Sequence, residues 1–464
     1  MRAWSINYQL RRPLLLIACI EAAILFSSIY VADIIVCGSL EECVRVLGPI
    51  VPKASLVAII LLLSLVAMGL YQFHQRFYFR EAVLRLLVGL GVGCLVLAII
   101  FSAFPSMTIS RNIAIIAIGY ALLLLILSRY LIVHRIDDAF RRRTLVYGAG
   151  ERAASLFDLR RRSDRRGFIF VGRVSAPGDT ITGERDVLIT NGQSIADIAA
   201  EKNADEIVVA MDNRRGNLPI RDLLNARLAG VDVIDLLEFL ERETGKIRID
   251  LVSPGWLIFS PGFKVSRSRR VMKRAVDILV SSVILLLSWP IMLMIMLAIK
   301  IEDGPAAAVI YRQFRVGQGS KRFQMLKFRS MNVNAEPEGK AQWARSDDSR
   351  VTNVGRFLRV SRLDELPQVI NVLRGQMSLV GPRPERPEFV DELKDEIPYY
   401  AERHTVKPGI TGWAQVRYGY GASRHDAIEK LQYDLYYIKN QTLMLDIMII
   451  LHTVEIVLWG KGAR

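Results

Sequence analysis

Apolar positions fall into long blocks in the first part of the chain and short ones after it. Four runs, over about 13–36, 54–71, 82–104 and 112–133, approach or exceed the roughly 20 apolar residues that span a bilayer. From residue 144 the blocks shrink to short stretches at 144–147, 168–171, 206–210 and 231–234, with helical sequence between some of them. Short apolar strands alternating with helices predict a parallel, Rossmann-like α/β sheet. A fifth long run, 275–299, holds one charge, Asp277, and contains Pro290. Its length suits a spanning helix, but the proline removes a backbone bond, and Lys273, Arg274 and Lys300 put cations at both ends. The expected element is a helix–break–helix hairpin that enters and leaves one leaflet. The final apolar stretch, 443–459, is interrupted by Asp446, His452 and Glu455 and suits the membrane interface better than a crossing.

Charge gives these blocks an orientation. Arg2, Arg11 and Arg12 precede the first run, Arg76, Arg80 and Arg85 follow the second, and Arg135 and Arg141–Arg143 follow the fourth. The loop after the first run carries Glu41 and Glu42 against Arg45 and Lys53, and the loop after the third has only Arg111. Basic loops stay on the cytoplasmic side, so both ends of the four-helix region are expected there. Glu21 and Asp33 lie inside the first run, where helix packing is their simplest role.

Composition narrows the partners. Of 464 residues 52% are hydrophobic, and Lys plus Arg outnumber Asp plus Glu by 61 to 46, for a net charge of +15. Such a surplus suits nucleic acid, an anionic lipid surface or a phosphorylated substrate. No zinc-finger, homeodomain or RNP pattern supports nucleic acid, so the lipid surface and the phosphorylated substrate remain. The four cysteines, Cys19, Cys37, Cys43 and Cys94, all lie in the hydrophobic region, and their absence afterwards fits a reducing compartment. Whether Cys37 and Cys43 pair across their short polar loop stays open.

Two motifs bear on chemistry. Gly148-Ala-Gly150-Glu-Arg-Ala153 follows the first short strand, as a pyrophosphate-binding loop would. The second strand, however, ends in Gly172-Arg173, without the acidic residue that holds a ribose. A structural or regulatory domain with no bound cofactor is therefore the expectation. The second motif is Ser361-Arg-Leu-Asp364-Glu365-Leu-Pro367-Gln368, with Gly375 beyond it, which predicts a helix over 365–374. Alone, Asp364 and Glu365 read as an ordinary helix start. Lys327, Arg329, Arg356, Arg359, Arg362 and Arg383 recur around short Pro/Gly turns near them, and such cations make a phosphate site. A carboxylate held ionised there can attack phosphorus, and its neighbour can hold Mg²⁺.

Three long words around these residues closely resemble the large monotopic phosphoglycosyl transferases, or polyprenyl-phosphate hexose-1-phosphate transferases, of exopolysaccharide loci. They are YRQFRVGQGSKRFQMLKFRSM (311–331), RVTNVGRFLRVSRLDELPQVINVLRGQMSLVGPRPERPEF (350–389) and YYAERHTVKPGITGWAQVRYGYGAS (399–423). With the basic linker and hydrophobic run, the resemblance covers about 267–464. It implies a mixed membrane protein with three parts. These are an N-terminal four-helix transmembrane bundle (1–140), a central α/β Rossmann-like domain (141–262) and a C-terminal α/β monotopic catalytic domain (263–464), whose re-entrant hairpin lies near 275–299. It implies that Asp364 is the nucleophile, that Glu365 supports Mg²⁺, and that Arg359 and Arg383 bind phosphate. Lys327 and Arg329 fall in the Lys-Phe-Arg word, where Lys327 contacts donor or carboxylate, and Pro290 breaks the hairpin. The chain departs from the pattern at Trp289, where Ser is usual, and at Gly304-Pro-Ala-Ala-Ala-Val-Ile310.

The implied reaction moves a hexose-1-phosphate from a UDP-sugar, with UDP-glucose or UDP-galactose expected, to undecaprenyl phosphate. It would proceed through an aspartyl-phosphosugar, release UMP, and open exopolysaccharide or capsule synthesis on the cytoplasmic face of the inner membrane. A homodimer is compatible with the extra domains. A sugar-nucleotide dehydratase or epimerase would need Tyr-x-x-x-Lys, and none of the 15 tyrosines has Lys four residues on. An inactive assembly scaffold would not need the carboxylate pair.

Overall fold

The computed structural model describes residues 3–38, 49–68, 70–71, 79–131, 141–157, 168–181, 187–188, 193–214, 217–252, 254–263, 266–331, 350–419, 421 and 423–459. Glu41, Glu42, Cys43, Arg45, Arg76, Arg135 and Lys264 lie outside the described residues. The chain divides into two compact units, Met1–Gly245 and Lys246–Arg464.

The first unit opens with four apolar helices: α1 (Ala3–Cys37), α2 (Ile50–Ala67), α3 (Phe79–Ala103) and α4 (Arg111–Leu131). Leu25 and Ile29 of α1, Leu61 and Leu65 of α2, Leu86 and Leu90 of α3, and Ala117, Ala121 and Leu125 of α4 form one buried core. Many outward residues are also apolar, including Ile59, Leu95, Ile99 and Leu123. Helices apolar on all sides belong in lipid, and each of the four contains a segment long and apolar enough to cross a bilayer. The chain is a membrane protein. Glu21 is fully buried and accepts bonds from Arg129 (2.7 Å), Ser128 (3.0 Å) and Tyr71, so this intramembrane charge serves helix packing. Cys37 is disulfide-bonded, whereas Cys19 and Cys94 are free.

The same unit continues into five parallel strands, β1 (Arg142–Tyr147), β2 (Phe168–Val174), β3 (Val187–Leu188), β4 (Glu206–Val209) and β5 (Asp232–Asp235). Their order is β3-β2-β1-β4-β5, the doubly wound arrangement with a switch point between β1 and β4. Helices α5 (Glu151–Phe157), α6 (Ile195–Glu201), α7 (Ile220–Leu228) and α8 (Leu236–Thr244) connect or follow them. β3 has only two residues, too short to show a periodicity, and it is the strand that sequence pattern does not reveal.

The second unit begins with residues 246–262, expected in the α/β domain. Ile247 is buried in this unit's core and donates its N–H to Gln432 O at 3.0 Å. After α9 (Pro254–Phe259) comes α10 (Arg267–Asp303), a single helix of 37 residues that contains Pro290. The expected break between two helices is therefore absent from the secondary structure. Pro290 forfeits one bond to the carbonyl four residues earlier, while packing on both sides of it continues. Asp277, Ser281, Ile284, Ser288, Met292, Ile295 and Ile299 are all buried or half-buried, at helical spacing along one stripe. Both ends are tied to the same unit. Arg274 donates to Val372 O and Leu373 O at 2.6 and 2.8 Å, and Asp277 Oδ1 accepts from Leu379 N at 3.1 Å. Glu302 accepts the N–H groups of Asn353 and Val354 at 2.8 and 3.0 Å. The opposite face exposes Leu279, Leu286, Leu287, Trp289, Met294 and Leu297.

The rest of the unit carries the site. Strands β6 (Ile310–Val316) and β7 (Arg322–Phe328) form an antiparallel hairpin. Helices α11 (Asn353–Val360) and α12 (Gln368–Leu373) flank a 3-10 turn, Leu363–Glu365. Strand β8 (Ser378–Val380) precedes α13 (Pro387–Glu396), and β9 (Gly409–Thr411) pairs with β8 in parallel. The chain closes with α14 (Trp413–Arg417), α15 (Arg424–Lys439) and α16 (Leu443–Trp459). Their shared core holds Met325, Val372, Leu379, Trp413, Tyr433, Tyr437 and Ile449.

Candidate active site

The predicted helix over 365–374 is divided in the structure. Asp364 and Glu365 occupy the 3-10 turn, and α12 begins at Gln368. Arg362 sets this geometry with φ +59°, a left-handed conformation uncommon for a side chain with a Cβ. It ends the run of α11 and turns the next residues inward, so that Asp364 is buried.

β7 brings a cation to both carboxylates. Lys327 Nζ is 2.9 Å from Glu365 Oε1 and 3.8 Å from Asp364 Oδ2. Arg383, in the loop after β8, reaches the same Glu365 oxygen at 3.2 Å. Burial opposes the charge of Glu365, but Lys327 and Arg383 outweigh it and hold this carboxyl far below the usual range. Asp364 goes the other way. Burial pushes its carboxyl up, Lys327 counteracts only in part, and the neighbouring Glu365 charge adds to the rise. Sequence reasoning expected the cations to favour an ionised Asp364. The structure directs them mainly to Glu365 and leaves Asp364 the more basic of the two.

Arg359 donates from Nε to Ser330 Oγ at 3.0 Å. Close packing explains that contact. A Cβ on Gly355 would come within 2.1 Å of Ser330 O, so α11 approaches the chain after β7 only because residue 355 is glycine. Arg359 follows one turn later, above Ser330. Thr352 caps the helix by accepting Gly355 N–H at 2.9 Å. Arg329 lies between Phe328 and Ser330, half-buried, with its N–H on Val309 O at 2.9 Å. The structure thus gathers Lys327, Asp364, Glu365 and Arg383 by direct contacts and sets Arg359 on Ser330 beside the β7 end. Pro290 is exposed on the outer face of α10, apart from these contacts.

Sequence reasoning missed what holds Arg383. Arg403 donates to Arg383 O at 3.2 Å and to Asp434 Oδ2 at 2.8 Å, with Arg403 and Asp434 both buried. Arg403 lies in the quoted word 399–423, but nothing local to it indicates a partner 20 residues earlier.

The backbone amides of the glycine loop after β1 bond to the chain's own carboxylates. Asp212 accepts Glu151 N–H and Arg152 N–H at 3.0 and 2.8 Å, at the start of α5. A Cβ on Gly150 would fall 1.8 Å from Asp212 Oδ2. Asp179 accepts Ala149 N–H at 2.9 Å and Asp212 N–H at 3.2 Å. The amides that a pyrophosphate would use are met by the chain's own carboxylates.

Residues 268–460 match the model of the bacterial sugar transferase family. The chain is 44% identical, over 53% of its length and 56% of the relative's, to the UDP-N-acetylgalactosamine-undecaprenyl-phosphate N-acetylgalactosaminephosphotransferase of Aeromonas hydrophila. It is 30% identical to an uncharacterized sugar transferase of Haemophilus influenzae, over 85% of each chain. It is 37% identical to the UDP-glucose:undecaprenyl-phosphate glucose-1-phosphate transferase of Klebsiella pneumoniae, over 68% of this chain and 67% of that one. With the carboxylate pair and its cations lying inside the matched region, the chain belongs to the bacterial sugar transferases, the family of polyprenyl-phosphate sugar-1-phosphate transferases.

Proposed function

We propose that the protein transfers a hexose-1-phosphate from a UDP-sugar to undecaprenyl phosphate through a covalent intermediate on Asp364, releasing UMP. The observation that carries this reading is the unequal pair: a basic, buried Asp364 beside a Glu365 pinned as an anion by Lys327 and Arg383. A carboxylate nucleophile gains from basicity, and its neighbour gains from staying charged.

In the first step an Asp364 carboxylate oxygen bonds to the β-phosphorus of the donor. The P–O bond to the α-phosphate breaks, and UMP leaves with the electron pair. In the second step a phosphate oxygen of undecaprenyl phosphate attacks the same phosphorus, and Asp364 leaves as carboxylate. One pyrophosphate linkage is exchanged for another. Arg383 and Arg359 steady phosphate oxygens, and Lys327 moderates the charge of both carboxylates. The donor is UDP-glucose or UDP-galactose, with the N-acetylated sugar of the Aeromonas relative's name as a further candidate. The reaction is placed at the first membrane step of exopolysaccharide or capsule synthesis.

Mg²⁺ fits this donor set when shared with substrate phosphates. Glu365 Oε1 is engaged by Lys327 and Arg383, which leaves its second oxygen and the adjacent Asp364 as hard ligands. No group of three or more His, Cys, Asp or Glu forms a metal cage among the described residues. With Glu365 as its main protein ligand, the ion would offset charge on the leaving group.

We place the site on the cytoplasmic face of the inner membrane, the side on which the basic loops put both ends of the four-helix region. Attachment of both ends of α10 to one unit, with Pro290 between them removing a backbone bond, supports a helix bent at the proline that enters and leaves the same leaflet. A cysteine at the exposed position 392, in a cysteine-free background, should escape an impermeant thiol reagent in intact cells; labelling there would contradict this topology. For the chemistry, protein mixed with UDP-sugar alone should carry a phosphosugar on Asp364 by mass spectrometry. A protein that releases UMP only when the lipid acceptor is present, and never shows the adduct, would exclude the two-step route.

A further inference from the structure

The loop that presents Arg383 is held in an unusual way. Pro382 and Pro384 flank the arginine and have no N–H to donate, so the loop is poorly able to close on itself. Four consecutive carbonyls instead accept bonds from outside it. Pro382 O accepts Gly409 N–H at 3.0 Å, and Glu385 O accepts Val316 N–H at 3.0 Å. The two between them are taken by arginine side chains: Arg383 O by Arg403 at 3.2 Å and Pro384 O by Arg315 at 3.1 Å.

Both arginines are themselves fixed. Arg403 gives one nitrogen to Tyr400 Oη at 2.7 Å and another to Asp434 Oδ2 at 2.8 Å, with side-chain exposures of 6% for Arg403 and 1% for Asp434. Arg315 gives two bonds to Gln313 Oε1, at 3.0 and 2.6 Å, and lies 3.7 Å from Glu385. A buried cation is costly to hold, and an anchor for backbone carbonyls next to a phosphate-binding arginine is a use that repays it.

We propose that Arg403 and Arg315 are positioning residues for Arg383: by gripping the carbonyls of residues 383 and 384 they fix the reach of its guanidinium toward Glu365 and the donor diphosphate. This rests on the reading of Arg383 as a phosphate-binding residue. Only a planar guanidinium serves Tyr400, Asp434 and Arg383 O together. Lysine would keep the charge opposite Asp434 but lose part of that geometry. The role is specific to backbone aim, because neither Arg403 nor Arg315 bonds to Asp364 or Glu365 among the described residues.

The test is a double-mutant cycle on the full chain in lipid nanodiscs, with UMP release measured against UDP-sugar concentration. Arg403→Lys and Arg315→Lys should each lower kcat/KM for the donor by about tenfold or more, whereas in an Arg383→Ala background the same changes should cost less than about twofold. If Arg403→Lys fails to fold, Arg315→Lys, which leaves the Arg403–Asp434 pair intact, decides alone. Native kcat/KM in the lysine variants, or losses that multiply with that of Arg383→Ala, would overturn the inference while leaving the role of Arg383 standing. Full activity of Arg383→Ala would remove that role, and the inference with it.

Discussion

Lys327 stands between the two carboxylates of the site but favours one of them, with Glu365 at 2.9 Å and Asp364 at 3.8 Å. The ammonium therefore neutralises the residue assigned to support and leaves the proposed nucleophile basic. The first prediction removes it. Lys327→Met leaves Glu365 buried with Arg383 as its remaining close ion pair among the described residues and should destabilise the second unit by about 2–3 kcal/mol, less than the roughly 3–5 kcal/mol of a fully buried broken pair because Lys327 is partly exposed. Glu365→Gln added to that variant should recover part of the loss in a denaturation series, since it removes the uncompensated charge. No recovery would mean the two groups are not coupled.

Asp364 carries the opposite expectation. Burial raises its pKa, so its ionised form costs the fold something, and Asp364→Asn should unfold at the same temperature as the wild type or higher. Transfer should nevertheless fall by on the order of 10⁴-fold, the scale of losing a nucleophile. Retained transfer to lipid would remove Asp364 from the mechanism.

The pair that steadies the Arg383 loop predicts a pH response. Burial pushes Asp434 up to about 6, against the attraction of Arg403. A raised folded pKa means its contribution to stability is full below the usual 3.8 and lost as pH rises through about 6. His404 next to Arg403 is opposite in sign. Burial and the Arg403 charge push it down to about 4, so its contribution is full above 6.5 and lost as pH falls through about 4. The two oppose each other between about 4 and 6. Asp434→Asn removes one of them, so unfolding temperature should drop more steeply on acidification from pH 6 to 4 than in the wild type. Parallel curves would show that Asp434 does not titrate there.

In the first unit, Asp212 fills the amide cradle of the glycine loop. Titration of the wild type with NAD or NADP should give no saturable binding. Asp212→Ala should accelerate hydrogen exchange at Glu151 and Arg152, with a local loss of about 1 kcal/mol, as for other removed helix caps. Tight dinucleotide binding by the wild type would show that Asp212 yields its place.

The sequence alone determined the elements whose signal is local. Four long apolar runs specify α1 to α4 because bilayer thickness sets their length. Short apolar blocks at 144–147, 168–171, 206–210 and 231–234 specify four of the five strands, because a parallel sheet buried on both faces needs them apolar. The family words single out Asp364, Glu365, Lys327, Arg359 and Arg383, because each lies inside a long continuous motif. Tertiary structure decided whatever depends on segments far apart in the chain. It set Lys327 against Glu365 rather than Asp364, seated Asp212 on an α5 start some 60 residues earlier in the sequence, and carried α10 through Pro290. It also drew Arg403 to the carbonyl of Arg383. Burial and ion pairing depend on which segments meet in space, and periodicity along one segment carries no record of that meeting.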